Sequence, residues 1–257
     1  MLYNIRYGTG TGAQFHLPLP GAGYVLGNHA NLARLTEFIK SRDPDIVGLI
    51  EVDTGSIRSR RINQADAIAA ALGHYSAYQT KYGAGSFNKH LPIVRKQGNA
   101  FLASPRVAGE RFHYFETGIK RLIIELELDE VAIFLVHLSL KYRHRHFQLR
   151  HLYDLISSQQ KPVIVAGDFN TFWGGHEIYL FMKAAGLRSA NLEGLPSYPS
   201  HAPRRELDFV LYSEGIEVTG FEIPQVKFSD HLPLICDFEV TPQAQAATQA
   251  RREASKA

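Results

Sequence analysis

The chain contains one cysteine, Cys236, in 257 residues. That excludes an internal disulfide framework and any zinc cage built from thiolates. Cys236 lies in Leu-Ile-Cys-Asp-Phe, where a buried strand residue is the ordinary reading. No run approaches the ~18 apolar residues of a membrane span, and the N-terminus lacks the basic-then-apolar pattern of a secretory signal. As written, the chain reads as cytoplasmic. A leader lost from before Met1 is the alternative, because Asn4 stands so near the start that its strand has almost no lead-in. Charge of one sign is also scarce. The formal net charge is +3. In the tail, Arg251, Arg252 and Lys256 oppose only Glu253, a net +2 that leaves +1 for the rest. No global basic field therefore advertises a polyanion partner.

What is present is an ordinary globular composition, 45% hydrophobic and 21% charged, enough for one large core. No linker divides it. Helical and strand patterns alternate, but direct strand-to-strand connections interrupt them in both halves. That predicts one α/β domain with mixed sheets over residues 1–240, not a doubly wound parallel sheet. Residues 241–257 are rich in Ala and Gln and read as a disordered or loosely helical tail.

The most informative stretch is Pro162-Val-Ile-Val-Ala-Gly-Asp-Phe-Asn170. The apolar run after a proline reads as a short buried strand ending at Gly167. If the chain stays extended, Asp168 and Asn170 share one face and Phe169 takes the other. A carboxylate beside an amide at a strand exit suits holding a phosphate and the water or metal that attacks it. By itself the stretch reads equally well as a turn.

Other strands end in the same manner. Met1 to Tyr7 reads as a strand carrying Asn4, and Asp45 to Glu51 as another ending in a carboxylate that could equally face solvent. Gly8 to Gly12 mimics a dinucleotide loop but opens no helix, so a loop beside a site fits better. His137 closes the run from Val131, as a core histidine or a site residue. Asp208 sits in Glu206-Leu-Asp-Phe-Val-Leu-Tyr212, and Asp230 and His231 open the last strand. Helices are expected around Leu32–Ile39, Ile62–Leu72, Leu149–Ile156 and Ile178–Ala185. Arg58 to Arg61 reads as a solvated helix start or a phosphate contact. Arg143-His-Arg-His146 reads as the wet face of a helix, since His144 and His146 fall roughly 200° apart. Lys81 to Gln97 is a long polar stretch with Lys81, Lys89, Arg95 and Lys96.

Polar residues thus recur at strand ends: Asn4, Glu51, His137, Asp168, Asn170, Asp208, Asp230 and His231. Hard oxygen donors without thiolates favour magnesium or manganese over zinc. Asp208 can hold His231 in one tautomer, as a carboxylate orients a catalytic base. Metal ligands, an oriented base and donors for phosphoryl oxygens are the parts that attack of water on phosphate needs.

The ordered motifs Tyr3-Asn4, Leu49-Ile-Glu-Val52, His137-Leu138, Gly167-Asp-Phe-Asn170, Leu207-Asp-Phe209 and Ser229-Asp-His231 resemble the endonuclease/exonuclease/phosphatase superfamily. The resemblance covers residues 1–240. It implies a four-layer α/β/β/α sandwich with two mixed, mainly antiparallel sheets and the site at one end of both. It implies a Mg2+- or Mn2+-dependent phosphoesterase, with nucleic acid slightly favoured as substrate over a phospholipid or small molecule. No obligate protein partner is implied. A silent binding module on the same fold is the non-enzyme alternative. By matching motif, Glu51 would bind the metal with Asn4 and Asp230 close by. Asp168 and Asn170 would position nucleophile and phosphoryl group. His231, oriented by Asp208, would serve as base or transition-state stabiliser, and His137 would contact phosphate. The histidine matching His137 has a glutamate partner in deoxyribonuclease I, and no clear counterpart stands between Tyr78 and Gly98. His201, Arg204 and Arg205, in a loop before Leu207-Asp208, are expected as phosphate contacts.

Overall fold

The computed structural model describes residues 1–16, 19–80, 93–104, 106–118 and 120–254. Lys81 and Lys89 lie outside the described residues. Chain order is β1 (Leu2–Asn4), the single turn α1 (Ala13–His16), α2 (His29–Ser41), β2 (Ile46–Asp53), α3 (Gln64–Leu72), β3 (Tyr75–Thr80) and β4 (Gln97–Ala103). Next come β5 (Gly109–Tyr114), β6 (Leu122–Glu127), β7 (Ala132–His137), α4 (Tyr142–Ser157), β8 (Val163–Asp168) and α5 (His176–Ala185). β9 (Arg188–Ser189), β10 (Asp208–Tyr212), β11 (Ile216–Glu222), β12 (Ile235–Val240) and α6 (Pro242–Ala254) complete the chain.

One sheet runs β1-β2-β4-β3 and the other β5-β6-β7-β8-β10-β9, with a β11-β12 hairpin beside them. β1/β2 and β7/β8 are parallel; the remaining pairs are antiparallel. Three apolar clusters define four layers. Leu35 and Ile39 of α2 and Ile68 of α3 pack with Tyr3, Val47, Leu49 and Leu102 on the first sheet. Leu149, Leu152 and Ile156 of α4 and Phe181 of α5 pack with Phe134, Val165 and Leu211 on the second. Between the sheets lie Leu2, Ile50 and Phe101 against Ile124, Leu135, Ile164 and Val210. The expected α/β/β/α sandwich is the observed one.

Period-3.6 apolar stripes explain the helices, and local chemistry explains their ends. The Asn28 side chain caps α2 by accepting from the Asn31 N–H at 3.0 Å. α5 stops at Gly186, whose φ of +64° is free to glycine. Of the two readings of the tail, the helical one matches the structure: residues 242–254 form a helix. Pro242 suits a first helical turn, Ala244 abuts Gly215, and Gln245 donates to Glu130 at 3.0 Å. Tertiary contact supplies the order that composition lacked.

Within Arg143–His146, Arg143 and His146 are exposed as expected, and Arg145 departs from the reading. Arg145 is fully buried, not wet. It shares a helical stripe with Leu149, Leu152 and Ile156, a spacing that carried the signal. Arg58 is neither solvated nor free for phosphate: it is buried, 2.8 Å from Asp53, with its guanidinium 4.2 Å above the Tyr7 ring.

Candidate active site

Strand register assembles most of the site. His137 pairs with Asp168 across the parallel β7/β8 ladder, and Asp168 with Asp208 across antiparallel β8/β10. The three side chains therefore stand in one row at one end of the six-stranded sheet. The row is tight because of Gly167, where a Cβ would lie 2.1 Å from the Val136 carbonyl oxygen.

The other sheet supplies Asn4, last in β1, and Glu51 in β2. β2 carries a bulge between Ile50 and Val52, and Glu51 has φ +58°. The bulge sends Ile50 to the inter-sheet core and Val52 to the helix-facing core, although simple alternation would place both on one face. Glu51, in between, is aimed out of the strand's end, with its backbone N–H donating to Asn99 at 3.3 Å. Asn4 Nδ2 donates to Asp168 Oδ2 at 3.2 Å, joining the two sheets at the site.

The segment before β12 closes the arrangement. His231 Nδ1 lies 2.7 Å from Asp208 Oδ2, which also accepts from the Ser197 hydroxyl at 2.6 Å. His231 Nε2 is 3.9 Å from Asp168 Oδ2, and His137 Nε2 is 3.2 Å from that same oxygen. Asp230 stands 3.4 Å from Arg6. Burial pushes the Asp168 carboxyl up, but the His137 charge and hydrogen bond, with the His231 and Lys120 charges, hold it well below the usual carboxylate range. For His231, burial opposes the charged form, yet the Asp208 and Asp168 charges and the Asp208 hydrogen bond raise it to about 10. Burial pushes Asp208 up, against the opposing pull of His231.

Gly167-Asp-Phe-Asn170 is both a turn and part of this cluster. Phe169 is buried edge-on to Phe209, with ring centroids 5.2 Å apart. Asn170 leaves the extended path at φ +53°, and its backbone N–H donates to Asp168 Oδ1 at 3.0 Å. Its side-chain Nδ2 donates to the Leu138 carbonyl at 2.9 Å, tying β8 to β7. The amide nitrogen is thus engaged in holding strand exits together.

The three rim residues of the sequence reading are exposed. Arg205 bonds the Phe172 carbonyl and lies 5.7 Å over the Phe172 ring. Sequence reasoning missed Lys120, whose amine contacts His137 Nε2 and lies 4.0 Å from Glu51 Oε1. It also missed Ser197, Arg6 and Tyr198, whose ring is 4.9 Å from that of His231. Alternation along Met1–Tyr7 puts Arg6 on the face of Asn4; the others belong to no local motif, and only folding brings them in.

The site offers hard donors. Asp168, Asp208 and His231 present ligand atoms all within 4.8 Å of one another. Asp208 Oδ1 is buried without a hydrogen-bond partner among the described residues. Oxygen-rich, thiolate-free chemistry of this kind fits a hard divalent cation.

A two-sheet sandwich with a carboxylate–histidine cluster at one end is an arrangement suited to hydrolytic chemistry. The sequence profile of the Endonuclease/Exonuclease/phosphatase family matches residues 1–231, and the chain belongs to that family. A UPF0294 protein of Yersinia pseudotuberculosis serotype O:1b (strain IP 31758) is 37% identical over 112 residues, 42% of each chain. One of Vibrio parahaemolyticus serotype O3:K6 is 35% identical over 95 residues, 35% of this chain and 32% of that one. The matches thus span less than half of these relatives. Among solved structures, an endonuclease/exonuclease/phosphatase from Beutenbergia cavernae superposes with TM-score 0.70 at 16% identity, covering 93% of this chain and 70% of that one. The human Nocturnin catalytic domain with bound sulfate gives 0.68 at 20%, covering 93% of both. A Bacteroides thetaiotaomicron mannosyl-6-phosphatase gives 0.68 at 14%, covering 93% and 98%. At such identities the likeness is one of fold.

Proposed function

We propose that this protein is a Mg2+- or Mn2+-dependent phosphoesterase that cleaves a phosphodiester or phosphomonoester with activated water, nucleic acid being the favoured substrate. The observation that carries the reading is the line of hydrogen-bonded groups Ser197–Asp208–His231 converging on Asp168, itself shared by His137 and Asn4. Glu51 would hold the cation, with Asn4 and Asp230 close by. The Asp168, Asp208 and His231 atoms could also ligate. Asp208 Oδ2, however, is already engaged by His231 and Ser197, so we assign that group to proton handling.

When bound, the cation supplies positive charge to a phosphoryl oxygen and acidifies water. The remaining work belongs to side chains. Asp168, held ionised, accepts from the attacking water and orients it. Asp208 accepts from His231 Nδ1 and fixes the ring, so that Nε2 points toward Asp168 and donates to charge developing on the phosphoryl group. His137, beside the same carboxylate, contacts phosphate. Arg204, Arg205 and His201 form the outer rim that would meet flanking phosphates. A phospholipid or small phosphoester is the second reading, favoured by the weak overall charge.

Turnover of bis(p-nitrophenyl) phosphate with magnesium tests the reading. EDTA, Asp168→Ala or His231→Ala should abolish it, each substitution by about 10³-fold or more. Equal background rates in wild type and both variants would make the protein a silent module on this fold. Parallel assays with plasmid DNA, RNA, sphingomyelin and inositol phosphates assign the substrate.

A further inference from the structure

Two buried polar side chains on α4 take no part in the mechanism above. Arg145 is fully buried, and its guanidinium pairs with Glu177 of α5. Its Nη1 turns away from that pair and lies 3.0, 2.9 and 3.0 Å from the carbonyl oxygens of Ser139, Leu140 and Asn170, its two hydrogens shared among the three. Gln148, three residues on and equally buried, accepts from the Ser139 N–H at 2.8 Å. It donates to the carbonyls of Thr117 and Lys120 at 3.1 and 2.7 Å.

We propose that Arg145 and Gln148 form a clamp that positions the catalytic groups by fixing the exits of β7 and β8 and the approach to β6. The proposal rests on the phosphoesterase reading of the neighbouring site. Each clamped point lies beside a site residue. Ser139 and Leu140 follow His137 by two and three residues. Asn170 is the residue whose backbone donates to Asp168 and whose side chain holds Leu138. Lys120 is the amine beside His137 and Glu51. The fit at Gly118 is close as well: at φ +93°, a Cβ there would lie 2.3 Å from Ser139 Oγ and 3.0 Å from Gln148 Nε2.

Helix packing alone does not require these groups. The stripe position of Arg145, flanked by Leu149 and Leu152, would take an apolar residue without the desolvation penalty of a buried ion. A planar guanidinium offers what an apolar residue or lysine cannot: Nε and Nη2 hold Glu177 while Nη1, fixed in the same plane, faces the converging carbonyls. Catalytic distances set to within an ångström need such anchoring.

The test uses full-length Arg145→Lys, Gln148→Met and Glu177→Gln with magnesium and bis(p-nitrophenyl) phosphate, together with backbone hydrogen exchange. Arg145→Lys keeps the charge and its partner Glu177 but loses the fork. Gln148→Met leaves the ion pair intact and reports on the same loops if the arginine variant fails to fold. Expected is a fall in kcat of about 10- to 100-fold with KM held within about twofold. Residues 138–140 and 169–171 should lose exchange protection together, while α4 and α5 keep theirs. Glu177→Gln, which leaves all three carbonyl bonds in place, should have the smallest effect on kcat. Unchanged kcat, or exchange that rises only in the helices, would overturn the clamp. If wild type turns over no phosphoester, the functional reading fails, and the exchange pattern still decides whether the clamp exists.

Discussion

Asn4 and Asp168 lie 164 residues apart, and a 3.2 Å hydrogen bond from the Asn4 amide to the Asp168 carboxylate joins the ends of the two sheets. The amide donates to a carboxylate whose pKa is held low, and which the proposed mechanism uses in its ionised form. Asn4→Asp keeps the shape and sets two carboxylates face to face, which favours protonation of one of them. Activity at neutral pH should fall by about 10²-fold or more, with the pH–rate profile shifted to higher pH. An unshifted profile would show that the contact has no electrostatic role.

His231 makes stability depend on pH. Its folded-state pKa is raised from 6.5 to about 10 by Asp208 and Asp168, against the effect of burial. A raised value means that the folded state holds the proton more tightly than the unfolded chain. This stabilisation is complete below about 6.5 and is lost as pH climbs toward about 10. In EDTA, the melting temperatures of wild type and His231→Gln should therefore converge as pH rises from 6.5 to 10. A gap that stays constant over that window would contradict the assignment.

Glu51 is aimed by a bulge and stands 4.0 Å from the Lys120 amine. As the proposed metal ligand it should be sensitive to loss of charge alone. Glu51→Gln is expected to raise the magnesium concentration for half-maximal activity by at least about tenfold. Calorimetric titration with Mn2+ should weaken in parallel. An identical magnesium dependence would remove Glu51 from the metal site.

Gly167 lets β8 close on β7. Adding a methyl group there drives it into the Val136 carbonyl, 2.1 Å from the ideal Cβ. Gly167→Ala should destabilise the fold by about 2 kcal/mol or more, measured by urea unfolding. In whatever fraction folds, separation of His137 from Asp168 should lower kcat more than it raises KM.

Much of this was readable along the chain because it is local chemistry. The stripes that define α2, α4 and α5, the apolar strands 131–137 and 162–168, and the direct strand connections already led to one α/β domain with mixed sheets; the two-sheet sandwich came from the resemblance carried by the ordered motifs. Polar residues at strand ends led to the site, and order along the chain connected Gly167–Asn170 with Ser229–His231. Arg145 was readable as well, since it shares a stripe with Leu149 and Leu152. Its basic, histidine-rich neighbours led instead to the reading of a wet face.

The amino-acid sequence by itself determined the elements, the mixed-sheet class and the chemical types at the strand ends. These follow from side-chain periodicity and turn chemistry, while the layer order was implied by the family motifs. Tertiary structure alone decided the rest. Parallel and antiparallel registers set His137, Asp168 and Asp208 side by side. A bulge, invisible in the alternation of β2, aims Glu51. Packing brought Lys120, Ser197, Tyr198 and the Arg145–Gln148 pair to the site and ordered a tail of poor sequence complexity into α6. These features depend on groups distant in the chain being desolvated together, and no local pattern encodes that.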